Sequence, residues 1–159
     1  MPNWCQNVLT LKHSNPTMIT RAAEAIRNGK LFAEFSPMPD GEDPYEWNTA
    51  NWGTKWDICD PDLTFVDVNS LDVNFNTAWA PPEKFYETMG SLGFVVTGLY
   101  NEFGMCYCGI FTNDPGSDYG NRYVQYHRMT NDERQVHIPE ILLDTFQIDE
   151  LLTEWNEED

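Results

Sequence analysis

Few side chains in this 159-residue sequence have the types and spacing that nucleophilic catalysis requires. A serine or cysteine nucleophile needs a base within hydrogen-bond reach and a third group that orients this base. The sequence offers His13, His127 and His137 as bases, and none of them stands in a local catalytic signature. The GxxxxGK[ST], GxGxxG and HExxH patterns of phosphate, dinucleotide and zinc-hydrolase sites are also absent. We predict no catalytic residue and favour a non-enzymatic protein.

Cysteine side chains are the remaining candidates for chemistry. Cys106 and Cys108 alternate along a predicted strand and should share one of its faces. A zinc site there would need Cys5, Cys59 or a histidine brought alongside by the fold. Because the sequence contains no CxxC pair, we expect free thiols, and we predict neither a metal ion nor another cofactor.

The charge of the chain narrows the possible partners. It carries 26 acidic residues against 9 basic ones, a net charge of −17. Proteins that bind bare nucleic acid have a basic surface, so we predict no direct contact with nucleic acid. A negative field of this size instead attracts basic protein surfaces.

The acidic residues are segregated along the chain. Nine lie between Asp40 and Asp72 against Lys55 alone, and ten lie from Asp132 onward against Arg134. One interpretation is a solvated face that ends in an acidic tail. The other is a binding surface whose carboxylates imitate nucleic-acid phosphates and engage a basic host protein. The predicted partner-binding residues lie in the last segment: Asp144, Asp149, Glu150, Glu154, Glu157 and Glu158.

Hydrophobic periodicity places these residues on an α+β framework. Strands are predicted over 4–12, 63–68, 71–79, 94–100, 105–112 and 122–128. Helices are predicted over 16–28 and 82–92 and after Pro139, the last one broken near Gln147, while 31–51 is predicted to be a long loop anchored by aromatic residues.

This element order predicts the domain organisation. Strand, helix, strand, strand, helix, strand is the split βαβ plan of a ferredoxin-like fold, an antiparallel sheet with two helices on one face. We predict a single domain over 1–159. Its ferredoxin-like core spans 1–100, and 101–159 adds strands and the acidic C-terminal helix.

Three sequence motifs carry a family resemblance. They are MPNWCQN at 1–7, FSPMP at 35–39 with NWGTKWD at 51–57, and FNTAWAPP at 75–82. In this order they resemble the YubB ferredoxin-like family of plasmids and phages. The resemblance implies a ferredoxin-like core and an origin in a mobile genetic element of a bacterial host, and it implies no activity. For such a protein, a natural basic partner would be host defence machinery.

The same motifs support an alternative function. Aromatic side chains around residues 52–56 could stack on a planar ligand, and a lysine could contact an anion on it. This alternative is a small-ligand-binding or enzymatic domain. Its predicted pocket residues are Trp47, Trp52, Lys55, Trp56 and Trp79.

The chain carries no membrane signal. No apolar stretch approaches the about 20 residues of a membrane span, and residues 1–7 lack the basic and apolar regions of a signal peptide. We therefore expect a cytoplasmic protein without membrane contact.

Overall fold

The structure is a computed structural model that describes residues 3–158, with side chains described to residue 154. The described residues form six strands: β1 (Trp4–Lys12), β2 (Cys59–Val66), β3 (Ser70–Ala78), β4 (Val95–Glu102), β5 (Tyr107–Thr112) and β6 (Arg122–Gln125). They also form seven helices: α1 (Pro16–Arg27), α2 (Leu31–Phe35), α3 (Pro44–Asn51), α4 (Glu83–Ser91), α5 (Asn131–His137), α6 (Glu140–Phe146) and α7 (Ile148–Glu158).

The six strands form one antiparallel sheet in the order β2-β3-β1-β4-β5-β6. Strand β1 lies inside this sheet, where Leu9 faces Val73 of β3 on one side and Gly98 of β4 on the other. The prediction of an α+β fold is confirmed. The predicted hairpin around Asn69 is also present, since β2 and β3 pair on either side of it.

Helices α1, α2 and α4 cover one face of the sheet, which we call the first face. In α1 the Asn15 side chain accepts a hydrogen bond from the Thr17 N–H, and Pro16 occupies the first turn, where its missing N–H costs nothing. Alternation along β1 turns Leu9 and Leu11 toward this face. Twenty buried side chains form the core here, which we call the first core.

Helices α5, α6 and α7 belong to the opposite, second face. Leu99, Cys108 and Ile110 of the sheet pack with Leu142 and Phe146 of α6 in a smaller second core. The predicted break in the last helix is confirmed, because Gln147 adopts a left-handed conformation with φ of 51° between α6 and α7. Within residues 3–158, no helix has the length and apolarity that crossing a bilayer requires.

The prediction of a long loop over 31–51 was wrong. This segment contains α2 and α3, and their N-termini are capped in different ways. Asp43 caps α3 locally by accepting from the Tyr45 N–H at 2.9 Å. Helix α2 is capped by a residue remote in sequence: the Asp57 carboxylate accepts hydrogen bonds from the N–H groups of Phe32 and Ala33, each at 2.9 Å. Helix α5, capped by Thr130, is an additional helix that the periodicity did not indicate.

Candidate functional site

Three carboxylates lie on the second face of the sheet at its β2–β3 side. Asp60 accepts a hydrogen bond from the Asn76 side chain at 3.4 Å, and Asp72 accepts one from the Thr10 hydroxyl at 2.8 Å. Asp62 lies opposite Asn74 in the β2–β3 ladder. Neighbouring residues of β3, such as Val73, point into the first core, so these polar side chains must point away from it.

Three further carboxylates are exposed on the C-terminal helices of the same face. Asp144 lies in α6, and Glu150 and Glu154 lie in α7. Glu157 and Glu158 also belong to α7, but their side chains lie outside the described residues. We use the term acidic face for the six described carboxylates of the two groups: Asp60, Asp62, Asp72, Asp144, Glu150 and Glu154.

Asp149 differs from the predicted row of solvent-facing carboxylates. Its side chain is only 14% exposed and forms an ion pair with Arg134 Nε at 2.5 Å. Its other oxygen accepts from the Gln135 side chain at 2.5 Å. Asp149 therefore joins α7 to α5, and Arg134 largely neutralises its charge.

A groove connects the two parts of the acidic face. It has a volume of about 320 Å³, and it is lined on the sheet side by residues that include Asp60, Asn74 and Asn76. On the helix side, Gln147 and Leu151 line it. A second cleft of about 330 Å³, next to α6 and α7, includes Glu140 with Asp144 and Glu150. Carboxylates from the end of the first acidic segment and from the C-terminal segment thus lie on one side of the molecule.

Basic residues leave most of this charge uncompensated. Among the described residues, three ion pairs are present: Arg21–Glu34, Lys84–Glu87 and Arg134–Asp149. None of them includes a residue of the acidic face. The negative potential of these carboxylates is therefore directed to solvent.

The predicted aromatic pocket residues are divided between two environments. Trp47 packs edge-to-face on Trp52, with ring centroids 5.8 Å apart. Trp52 is buried beside Phe32, and its indole N–H donates to the Ser36 carbonyl oxygen at 2.9 Å. These two tryptophans form part of the first core and its border.

The other predicted pocket residues lie at the surface. Trp56 is 41% exposed, with Lys55 Nζ 4.7 Å above its ring and the Trp4 ring 6.3 Å away. Trp79 is 58% exposed, and its backbone N–H donates to the Asn3 carbonyl oxygen. The structure thus places Lys55 beside Trp56 at the surface, while Trp52 points into the core.

A different group of aromatic residues, which no sequence motif indicated, lines a cleft on the first face. Tyr100, Tyr107 and Tyr123 come from β4, β5 and β6, and the cleft has a volume of about 390 Å³. The 49–53 region and the start of α4 form its other walls, through residues that include Gly53 and Pro81. Only the register of three strands brings these tyrosines together, because they are not contiguous in sequence.

The four cysteines are free thiols in the structure. Burial raises the pKa of Cys5 far above its usual value and that of Cys108 to about 12. Cys59 and Cys106 are partly buried, and burial raises the pKa of each thiol as well. Because the thiolate is the nucleophilic form, these shifts disfavour nucleophilic cysteine chemistry near neutral pH.

The histidine with the clearest partners has a structural role. His13 Nε2 lies 2.9 Å from the Leu92 carbonyl oxygen, and Nδ1 accepts from the Asn15 N–H at 2.9 Å. Its ring also packs edge-on against Phe94. Within residues 3–158, no group of three or more histidine, cysteine, aspartate or glutamate side chains is placed to hold a metal ion.

The functional assignment rests on the sequence and the structure, because comparison with known proteins found no similar protein. No protein-family model matches the chain, and neither a curated protein nor a solved structure is significantly similar to it.

Proposed function

We propose that this protein is a non-enzymatic binding protein that engages a basic protein partner through its acidic face. The observation that carries this proposal is the groove between Asp60 and Gln147, on whose two sides lie the strand carboxylates and the helix carboxylates of the acidic face. A face with uncompensated carboxylates attracts a basic surface and disfavours acidic ones. The partner is therefore recognised by charge complementarity.

The proposed setting is a bacterial cell that carries a mobile genetic element. The family resemblance of the three motifs supports it, and the order of the first four strands agrees with the ferredoxin-like core that the resemblance implies. These run β2-β3-β1-β4, which is the order expected if residues 1–100 form a ferredoxin-like core. In this setting we propose a cytoplasmic protein whose target is a nucleic-acid-binding or defence protein of the host.

Nucleic-acid mimicry is the specific form of binding that we propose. The carboxylates of the acidic face are held on strands and helices rather than on loops. A rigid array of negative charges can occupy the basic groove that a host protein uses for nucleic-acid phosphates. Duplex DNA and this protein would then compete for the same partner.

Capture from a bacterial lysate tests the proposal. The immobilised protein should retain a basic partner at low salt and release it as salt rises, because screening weakens exposed charge pairs. Replacing Glu150 and Glu154 of the acidic face, together with Glu157 and Glu158 farther along α7, by glutamine should weaken capture about tenfold or more. Four exposed charge pairs at about 0.2–1 kcal/mol each account for a loss of this size.

A matched variant separates the acidic face from net charge. Glu24, Asp40, Glu42 and Glu46 are exposed outside the acidic face, and their amide replacements remove the same four charges. Capture by this control variant should stay close to wild type. Equal loss in both variants would contradict recognition by the acidic face, and failure of duplex DNA to displace the partner would contradict mimicry.

A ligand-binding function remains the second candidate because of one contact. Lys55 lies above the exposed Trp56 ring, so a planar anionic ligand could stack there. Trp56→Ala, with the fold retained, should abolish binding of such a ligand and leave partner capture unchanged. Loss of partner capture in this variant would instead place Trp56 in the protein interface.

A further inference from the structure

The tyrosine cleft of the first face depends on Gly109, which leaves space for the Tyr100 ring. Tyr100, Gly109 and Tyr123 form one row across β4, β5 and β6. A Cβ atom at Gly109 would collide with the Tyr100 hydroxyl and with the Arg122 carbonyl oxygen. The absence of a side chain at Gly109 therefore lets the Tyr100 ring lie across the sheet, with its hydroxyl 3.3 Å from the Arg122 carbonyl oxygen.

The three rings form connected aromatic walls. Tyr107 stands at 65° to Tyr100, with ring centroids 6.2 Å apart. Tyr123 lies 5.7 Å from Tyr107 at 33° and is 62% exposed, so its ring is accessible from solvent. The Tyr107 hydroxyl donates to the Trp79 carbonyl oxygen, which fixes the orientation of the middle ring.

One carboxylate gives this cleft its charge. Glu83 lines both the tyrosine cleft and an adjoining cleft of about 350 Å³. Lys84 also lines the tyrosine cleft, but its ammonium group lies 3.8 Å from the Glu87 carboxylate. Arg122 lines the adjoining cleft beyond Tyr123. Among the residues that line the tyrosine cleft, Glu83 is the only carboxylate, and it has no ion-pair partner among the described residues.

The phenol groups of Tyr100 and Tyr107 stay neutral near pH 7. Burial raises the pKa of Tyr100, and the nearby Glu83 carboxylate raises it further. Burial also raises the pKa of Tyr107. Neutral aromatic rings attract cations through their electron-rich faces, and a carboxylate beside them strengthens this attraction.

We propose that the tyrosine cleft is a binding site for a small alkylammonium cation, with a quaternary ammonium group as the preferred ligand. Tyr107 and Tyr123 would contact the methyl groups of the cation, and Glu83 would balance its charge. A cleft of about 390 Å³ is large enough for such a ligand. The site lies on the face opposite the acidic face and does not depend on the function proposed for that face.

Three probes of nearly the same shape test the role of charge. Choline is the cation, 3,3-dimethylbutan-1-ol is its neutral isostere, and 3,3-dimethylbutanoate is an anion with the same bulky end. Each is titrated into the full chain and followed by amide and aromatic NMR shifts. Choline should bind at least about threefold more tightly than the neutral isostere, with shifts centred on the three tyrosines. Equal binding of the first two probes, or tighter binding of the anion, would overturn the proposal.

Variants locate the site and keep the test independent of folding. Tyr123→Ala should weaken choline binding at least about threefold, while Tyr123→Phe should retain it because the aromatic ring remains. Glu83→Gln should weaken choline and leave the neutral isostere unchanged. Tyr45→Ala is the matched control, since Tyr45 is 55% exposed outside the cleft.

Two further results test whether choline binds in the tyrosine cleft or is attracted non-specifically to the negatively charged protein. Arg122→Gln should tighten choline binding, since it removes a nearby positive charge. The fourfold glutamine variant of α7 should bind choline as wild type does. Choline shifts that follow α7 instead of Tyr123 would assign the cation to the acidic face and refute the cleft.

Discussion

The two faces of the sheet differ in how completely helices cover them. On the first face, α1, α2 and α4 enclose a core of twenty buried side chains. On the second face, nine buried side chains form the core, and the β2–β3 side carries Asp60, Asn74 and Asn76 along an open groove. The first face therefore buries most of the apolar side chains that stabilise the fold, whereas the second face exposes charged side chains.

The contacts that hold the helices against the sheet also differ between the two faces. Helix α1 is held by an apolar stripe, with Ile19, Ala22 and Ile26 buried. Helix α7 is held by apolar contacts too, with Ile148 buried in the second core, and its first turn adds the ion pair between Asp149 and Arg134, whose side chains are 14% and 12% exposed. The attachment of α7 should therefore be more sensitive than that of α1 to a change in a single charge.

The largest predicted effect is the loss of an aromatic side chain from the first core. Phe32 is fully buried and contacts the rings of Trp52, Phe75 and Phe85. Phe32→Ala should lower the free energy of unfolding by about 3–5 kcal/mol, because it leaves a cavity in a packed core. Urea denaturation monitored by tryptophan fluorescence measures this loss.

Phe146→Ala is the matched change on the second face. Phe146 is 7% exposed and borders the groove, so its removal leaves a space that solvent can enter. Its cost should be smaller than that of Phe32→Ala. Equal or greater destabilisation by Phe146→Ala would show that the second face contributes as much stability as the first.

The parts of the fold that were predictable are those whose signals are local. Strand β1 and helices α1 and α4 show their own periodicity, and α1 carries its cap and its first-turn proline in sequence. Helix α2 has five residues and no local side-chain cap. Its cap is Asp57, more than twenty residues along the chain, so only the tertiary structure reveals it.

The candidate sites differ in predictability for a similar reason. The segregation of acidic residues along the chain is visible in the sequence, but the predicted partner-binding carboxylates all came from the C-terminal segment, and Asp60, Asp62 and Asp72 were not among them. The groove that joins the two parts of the acidic face depends on how α7 packs, and the ion pair of Asp149 depends on Arg134 in another helix. The tyrosine cleft needs the register of three strands and a glycine at position 109, and none of this is visible in a local window.

Removal of the ion pair between Asp149 and Arg134 should have an intermediate effect on stability. Asp149→Leu should lower the free energy of unfolding by about 1–3 kcal/mol, because it leaves the partly buried Arg134 without its partner. The double variant with Arg134→Met should recover part of this loss. Thermal unfolding of the two single variants and the double variant measures the coupling. Additive losses would show that the pair does not hold α7 in place.

The smallest effect is expected from a change of pH, in a comparison of the partly buried Asp57 carboxylate on the first face with the exposed Asp62 carboxylate on the second. Burial raises the pKa of Asp57 above its ordinary value of 3.8, despite three backbone N–H groups that donate to it. The folded protein therefore binds this proton more tightly than the unfolded chain. As pH falls from 7 through the raised pKa, wild type should gain stability relative to Asp57→Asn, and the gain should be complete below pH 3.8. Asp62→Asn removes an exposed charge and is the control. Urea denaturation of the three proteins from pH 7 to pH 4 measures the differences, and a gap between wild type and Asp57→Asn that narrows on acidification would contradict the prediction.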